Sequence, residues 1–125
     1  MRFFRCKGCG NFITFLTDKS ACTPKCCGEE MTELTANTTD GAKEKHVPVV
    51  VTAGDIIQVK VGEVDHPMID AHYIQFIILE TDKGYMKKDL KPGDAPCAEF
   101  KLADGEKAVA AYEYCNLHGL WKKEI

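Results

Sequence analysis

Two sets of metal-seeking side chains stand out. Five of the seven cysteines fall in the first 27 residues: Cys6, Cys9, Cys22, Cys26 and Cys27. Cys6-Lys7-Gly8-Cys9 places two thiolates on one tight turn, and Gly8 and Gly10 let the backbone fold around what they bind. Cys26-Cys27, bracketed by Pro24 and Gly28, completes four sulfurs. Such a set suits a tetrahedral zinc or iron ion. Neighbouring cysteines rarely bridge each other, because their Cα atoms lie only about 3.8 Å apart. A structural zinc knuckle, disulfides or unligated thiols are the plainer alternatives, and Cys22 reads as a spare thiol.

The second set gathers all four histidines and one cysteine into three segments. They are Lys43-Glu44-Lys45-His46-Val47-Pro48, then His66-Pro67-Met68-Ile69-Asp70-Ala71-His72-Tyr73, then Tyr114-Cys115-Asn116-Leu117-His118-Gly119. No histidine lies mid-strand on an apolar face, the usual place of a core histidine. Neutral imidazoles with one thiolate favour iron or copper over magnesium or calcium. Four imidazoles and one sulfur fill five positions of an octahedral iron and leave one for a small ligand. A thiolate opposite that position pushes electron density toward the ligand. A blue-copper arrangement of Cys115, His118, His46 and Met68 is a rival reading of the same residues.

The elements that must position these groups are mostly strands. Val47 to Val51, Asp55 to Val61, Tyr73 to Glu80, Gly84 to Leu90, Ala98 to Leu102 and Lys107 to Cys115 are short, rich in Val, Ile and aromatics, and punctuated by Gly, Pro and Asp. Ile57, Val59 and Val61 alternate with Gln58 and Lys60, as a half-exposed strand requires. Lys107 to Tyr114 also admits a short helix through its alanines; elsewhere helical periodicity is weak. At 125 residues, a β-sandwich of about seven strands is the natural all-β solution. Residues 1–34 hold too few apolar side chains for a core and need a metal or a partner chain. Residues 35–42 are small and polar and read as a linker to a larger domain at 43–125.

Composition bounds the function. Apolar residues make up 45%, charged residues 28%, and the net charge is −3. No basic excess exists to drive nucleic-acid binding, and no apolar stretch approaches the roughly 20 residues that span a bilayer. The amino terminus has no apolar run of signal-peptide length. A cytoplasmic protein is expected, with no membrane and no nucleic-acid partner. Its cysteines are then better read as ligands than as disulfides.

Taken together, the motifs resemble the desulfoferrodoxins, the two-iron superoxide reductases. Cys6-Lys7-Gly8-Cys9-Gly10 and Cys26-Cys27-Gly28-Glu29-Glu30-Met31 are similar to a desulforedoxin-type iron site. Glu44-Lys45-His46-Val47-Pro48, His66-Pro67-Met68, His72-Tyr73-Ile74-Gln75 and Glu113 to Gly119 with Trp121 are similar to the catalytic site. The match covers nearly the whole chain. It implies a small rubredoxin/desulforedoxin-like metal-binding domain followed by an immunoglobulin-like seven-stranded β-sandwich, all-β throughout. It implies two iron ions per chain. One is an FeS4 centre at Cys6, Cys9, Cys26 and Cys27, where zinc can replace iron in recombinant protein. The other is square-pyramidal, with His46, His66, His72 and His118 in a plane and Cys115 axial.

The implied activity is one-electron reduction of superoxide to hydrogen peroxide, with electrons from a rubredoxin-like donor and the chain acting as a homodimer. Lys45 would steer the anion and donate hydrogen bonds to it, with Lys43, Lys87, Lys88 and Lys91 adding to the field. Glu44 would take the sixth position of ferric iron. Cys22 departs from the pattern, Phe76 stands where a larger aromatic is expected, and Cys97 has no assigned role. The rival functions are a blue-copper-like electron carrier, a superoxide dismutase and a zinc-knuckle interaction module.

Overall fold

Strand-forming triplets at the amino terminus build a small sheet. In the computed structural model, which describes residues 1–17 and 21–125, the chain falls into two units, Met1–Thr35 and Ala36–Ile125. In the first, β1 (Phe3–Arg5), β2 (Phe12–Thr14) and β5 (Thr32–Leu34) form an antiparallel sheet in the order β2-β1-β5. A two-strand hairpin, β3 (Lys25–Cys26) and β4 (Glu29–Glu30), completes it. Among the described residues Phe4, Cys6 and Met31 form a small core, with Ile13, Phe15 and Cys26 against them, and Phe3 is buried as well. The Arg2 guanidinium lies over Phe4 and Phe15 and pairs with Glu33 at 2.8 Å. So few apolar contacts leave stability to whatever binds the sulfurs.

The second unit has seven strands after a single helical turn, α1 (Lys43–His46). They are β6 (Pro48–Ala53), β7 (Ile56–Val61), β8 (Ile74–Thr81), β9 (Gly84–Asp89), β10 (Cys97–Lys101), β11 (Ala108–Cys115) and β12 (Gly119–Glu124). Two antiparallel sheets, ordered β10-β7-β6 and β12-β11-β8-β9, enclose the core. Ile57, Val59 and Val61 of β7 bury as the alternation demands and meet Ile77, Leu79, Phe100, Ala111 and Cys115. The all-β expectation holds, and six expected strands are present within a residue or two of their bounds.

The differences have physical causes. The stretch that also admitted a helix is strand, Ala108–Cys115, because it pairs on both sides, with β8 and with β12. The seventh strand, β12, is absent from the sequence expectation: Lys122, Lys123 and Glu124 hide its buried Leu120 and Trp121. Asn37 lies along that strand. Asn37 exchanges side-chain hydrogen bonds with the Lys122 backbone at 2.8 and 3.1 Å, and its N–H donates to Leu120 O at 3.0 Å. Phe76 stacks on Tyr114 with centroids 5.6 Å apart. Among the described residues, no helix is long and apolar enough to cross a membrane.

Candidate metal centres

The four sulfurs of Cys6, Cys9, Cys26 and Cys27 lie within 4.8 Å of one another. The turn after β1 closes by Gly10 N–H to Cys6 O and Cys6 N–H to Asn11 O. The β3–β4 hairpin turns through Cys27 and Gly28 at positive φ, 54° and 78°, the pairing a two-residue type I′ turn needs. Gly8 permits the two turns to meet: a Cβ there would sit 3.3 Å from Cys27 Cβ. The backbone N–H of Cys9, helped by that of Gly8, lowers the Cys6 pKa to about 7. The thiols of Cys9 and Cys26 push Cys27 up to about 12. Four sulfurs this close resist sharing negative charge, and a tetrahedral cation removes that resistance, so the set fits a metal. Cys22 and Cys97 are exposed and stand outside both ligand groups.

The larger site follows from strand ends. His46 ends α1 just before β6; His66 and His72 lie between β7 and β8; Cys115 ends β11, and His118 sits in the turn to β12. Antiparallel pairing brings Pro48 beside Val61, Cys115 beside Ile74, and Cys115 beside Gly119. All three segments therefore emerge at one end of the sandwich. Their donor atoms all fall within 4.8 Å of one another.

The imidazoles form a four-bladed ring. Successive centroids, His46–His66, His66–His72, His72–His118 and His118–His46, are 4.8, 4.5, 4.9 and 4.7 Å apart, with planes inclined at 75–80°. The diagonal pair His46–His72 is 6.3 Å apart and inclined at 31°. His46 Nδ1 donates to Ala42 O at 2.7 Å and His66 Nδ1 to Pro67 O at 2.6 Å. A carbonyl only accepts, so each proton is on Nδ1 and each Nε2 presents a lone pair. These two Nε2 atoms nonetheless face each other at 3.2 Å, and His118 Nδ1 lies 3.0 Å from His46 Nε2. His72 Nε2 is buried with no hydrogen-bond partner.

Burial lowers the pKa of His46 and His72, and that of His66 to about 4, keeping the rings neutral. The His46 and His66 lone pairs, converging without a proton between them, need a shared electrophile. Ring nitrogens 3.0–3.2 Å apart are close enough to share one metal ion. Cys115 is fully buried, with Sγ 3.8 Å from His118 Nδ1. Burial raises its pKa, against the N–H groups of His118 and Leu117 that favour the thiolate. The donor set fits a transition metal.

Glu44 and Lys45 are exposed on α1 and are not in the ligand group. Lys45 acts on His72 through its charge, lowering its pKa, and Glu44 acts oppositely on His46. Of the other candidate lysines, Lys87 pairs with Asp89 and Lys88 bonds Cys97 O. The blue-copper alternative loses its axial ligand: Met68 Sδ accepts the Ile74 N–H at 3.4 Å and packs on the core.

Glu113 and Trp121 stand in the motifs that carry the resemblance, but what they touch is set by the fold; Gly41 and Gly62 carried no signal of their own in the sequence. Trp121 stacks on His46, 5.0 Å and 22°, and its Nε1–H donates to His118 O at 3.0 Å. A Cβ on Gly41 would meet Trp121 and His118 at 3.2–3.3 Å. Gly62, at φ 77°, lets α1 approach closely. Glu113 shares the inner face of β11 with Ala111 and Cys115; both its carboxyl oxygens are buried without partners. Burial raises its pKa well above the ordinary value, favouring the neutral form.

Comparison with known proteins agrees with this geometry. The Desulfoferrodoxin family model matches residues 38–124. The desulfoferrodoxin of Nitratidesulfovibrio vulgaris is 47% identical over 121 residues, covering 97% of this chain and 94% of that one. The desulfoferrodoxin of Syntrophotalea carbinolica is 46% identical over 124 residues, 99% and 96% of the two chains. The crystal structure of the superoxide reductase from Treponema pallidum superposes with a TM-score of 0.80 at 38% identity, over 98% and 97% of the chains. The fold, the two ligand groups and these matches agree: the chain belongs to the desulfoferrodoxin family.

Proposed function

We propose that this protein is a superoxide reductase. One superoxide, one electron and two protons become one hydrogen peroxide. The observation that carries this reading is the ring of four imidazoles beside a buried thiol, with His72 Nε2 buried and unpaired. His46, His66, His72, His118 and Cys115 would hold an iron, which supplies the Fe(II)/Fe(III) couple when bound. The chain does the rest. His46 and His66 are fixed from behind by carbonyls, so the ring is set before the substrate arrives. The N–H groups of Leu117 and His118 stabilise the Cys115 thiolate. Lys45 would attract the anion and donate a hydrogen bond to it, and Glu44 would supply a carboxylate to the oxidised iron. His72 and His118 are half-buried, and this side of the ring admits the water that delivers protons.

Residues 1–34 serve as a desulforedoxin-like relay, with Cys6, Cys9, Cys26 and Cys27 holding a second iron that recombinant expression can replace with zinc. Residues 43–125 are the catalytic domain, joined through 35–42. A rubredoxin-like protein supplies electrons. A homodimer would shelter the small amino-terminal unit, whose described core is a small cluster around Phe4, Cys6 and Met31. We place the protein in the cytoplasm, where its cysteines stay reduced; no disulfide joins those described.

The test is metal content and visible absorption before and after ascorbate, with products measured on the same sample. Two irons per chain, and superoxide consumed to peroxide only while reductant lasts, are expected. Oxygen release without reductant would make the protein a dismutase; a colourless, inert protein would make it a binding module.

A further inference from the structure

We infer that Asn116 is a positioning residue that sets His72 against the Cys115 thiolate, an inference that rests on the metal-site reading above. The four imidazoles are not oriented alike. His46 and His66 are held by their own Nδ1–H bonds. For His72, no hydrogen bond is made by the ring among the described residues. Its direction therefore comes from its backbone.

That backbone is clasped on both sides by one carboxamide. Asn116 Oδ1 accepts the Tyr73 N–H at 3.0 Å, and Asn116 Nδ2 donates to Ala71 O at 3.1 Å. The Asn116 N–H itself donates to Tyr73 O at 3.2 Å. His72 is thus flanked by two residues tied to the neighbour of Cys115. Its own N–H and C=O are taken up by Ile69, at 2.9 and 3.1 Å, so the turn has no slack on the other side.

A register shift makes this possible. Tyr114 pairs with Phe76 but Cys115 with Ile74, so Gln75 is the extra residue. A bulge bends the strand and re-aims side chains near its end, and here it carries Asn116 across to residues 71–73. The chemistry of the clasp is specific, since one side chain must donate and accept within the same span. Aspartate keeps the shape and the acceptor but turns an oxygen toward Ala71 O; alanine loses both bonds.

The experiment uses the full chain loaded with ferrous iron. Asn116→Asp and Asn116→Ala are compared with Glu106→Ala, which also loses two hydrogen bonds, from Thr81 and Ala103, at the opposite end of β8. The readouts are iron release from the five-ligand site to a chelator, the thiolate-to-iron absorption band of the oxidised site, and the melting temperature of metal-free protein. Outer-shell partners of ligands typically carry a 10–100-fold effect on metal retention. Both Asn116 variants should release iron at least about tenfold faster and shift the band, while Glu106→Ala changes neither. If the Asn116 variants match wild type in release and band and differ only in melting, the clasp is merely structural and the inference falls. An effect in the aspartate variant alone would trace to its charge and also overturn it. Wild-type protein with no such band would instead sink the reading of the site itself.

Discussion

Gly62→Ala tests how the lysine-bearing turn is held. A Cβ at residue 62 would lie 2.7 Å from Glu44 O and from Lys45 C and O, where ordinary contact begins at 3.4 Å. The α1 backbone must therefore retreat by about 0.7 Å, the difference of those two distances. One helical turn has no stability of its own. It leans on Val64 N–H to Glu44 O, 3.0 Å, and on Lys45 N–H to Ala42 O, 3.1 Å. The retreat loosens the first of these and moves Lys45 and His46 together. Gly54→Ala is the matched control: its φ is 64° and nothing lies within 4 Å of the new carbon. Left-handed backbone costs an L-residue about 1–2 kcal/mol, which both variants share. Overpacking adds roughly 1–3 kcal/mol in Gly62→Ala alone. At about 4–8 °C per kcal/mol for a domain of this size, Gly62→Ala should melt well below Gly54→Ala. Pulse radiolysis should show its reaction with superoxide slowed by about tenfold or more, with Gly54→Ala at the wild-type rate. Equal melting temperatures and equal rates for the two variants would refute the argument that close approach, rather than backbone sign, is what Gly62 provides.

Lys45→Ala should slow the bimolecular reaction with superoxide and flatten its dependence on ionic strength, since local positive charge raises association by roughly 10–10³ at low salt; a rate unchanged across salt removes the steering role. Glu44→Ala should leave reduction fast and change the visible spectrum of the resting ferric protein; an unaltered spectrum rules out carboxylate ligation. Glu106 is held below the ordinary carboxylate value of 4.5 by the Thr81 hydroxyl and the Ala103 N–H. Its contribution is therefore present above pH 4.5 and lost as pH falls through the lowered value. Urea titrations of Glu106→Gln should show a deficit against wild type at pH 7 that closes in acid; a deficit constant with pH would disprove the linkage.

What the sequence made legible followed from local rules. Rare donor types gathered in a few short motifs exposed both ligand groups, and Ile57, Val59 and Val61 declared their strand by alternation. What it hid depends on distant chain. β12 buries Trp121 against His46, but three charged neighbours mask that periodicity. α1 is four residues long and Ala42 gives it no side-chain cap, so neither period nor boundary marks it. Glu113 sits inside although its type argues for outside, because β11 is covered on its inner face by the opposing sheet. The role of Gly62 is set by where Glu44 and Lys45 come to rest, and of Asn116 by a bulge two strands create together.

Both ligand groups divide in the same way between a fixed side and an open side. In the larger one, His46, His66 and Cys115 are buried, whereas His72 and His118 are half-buried. In the smaller, Cys6 is buried and Cys9 and Cys27 are exposed. A buried ligand is held by core packing and resists displacement when the charge on a metal changes, which keeps the reorganisation cost of electron transfer low. An exposed ligand edge gives electrons, protons and a small anion their way in. Fully buried groups would be rigid but unreachable, and fully exposed ones would lose their metal. The placement of each centre at the rim of a sheet is thus a chemical requirement, and it separates the two kinds of substitution. Changes beneath the ring, at Trp121 or Gly41, act first on stability and metal retention. Changes at the exposed Lys45 or Glu44 should act on the encounter with superoxide while the fold stands.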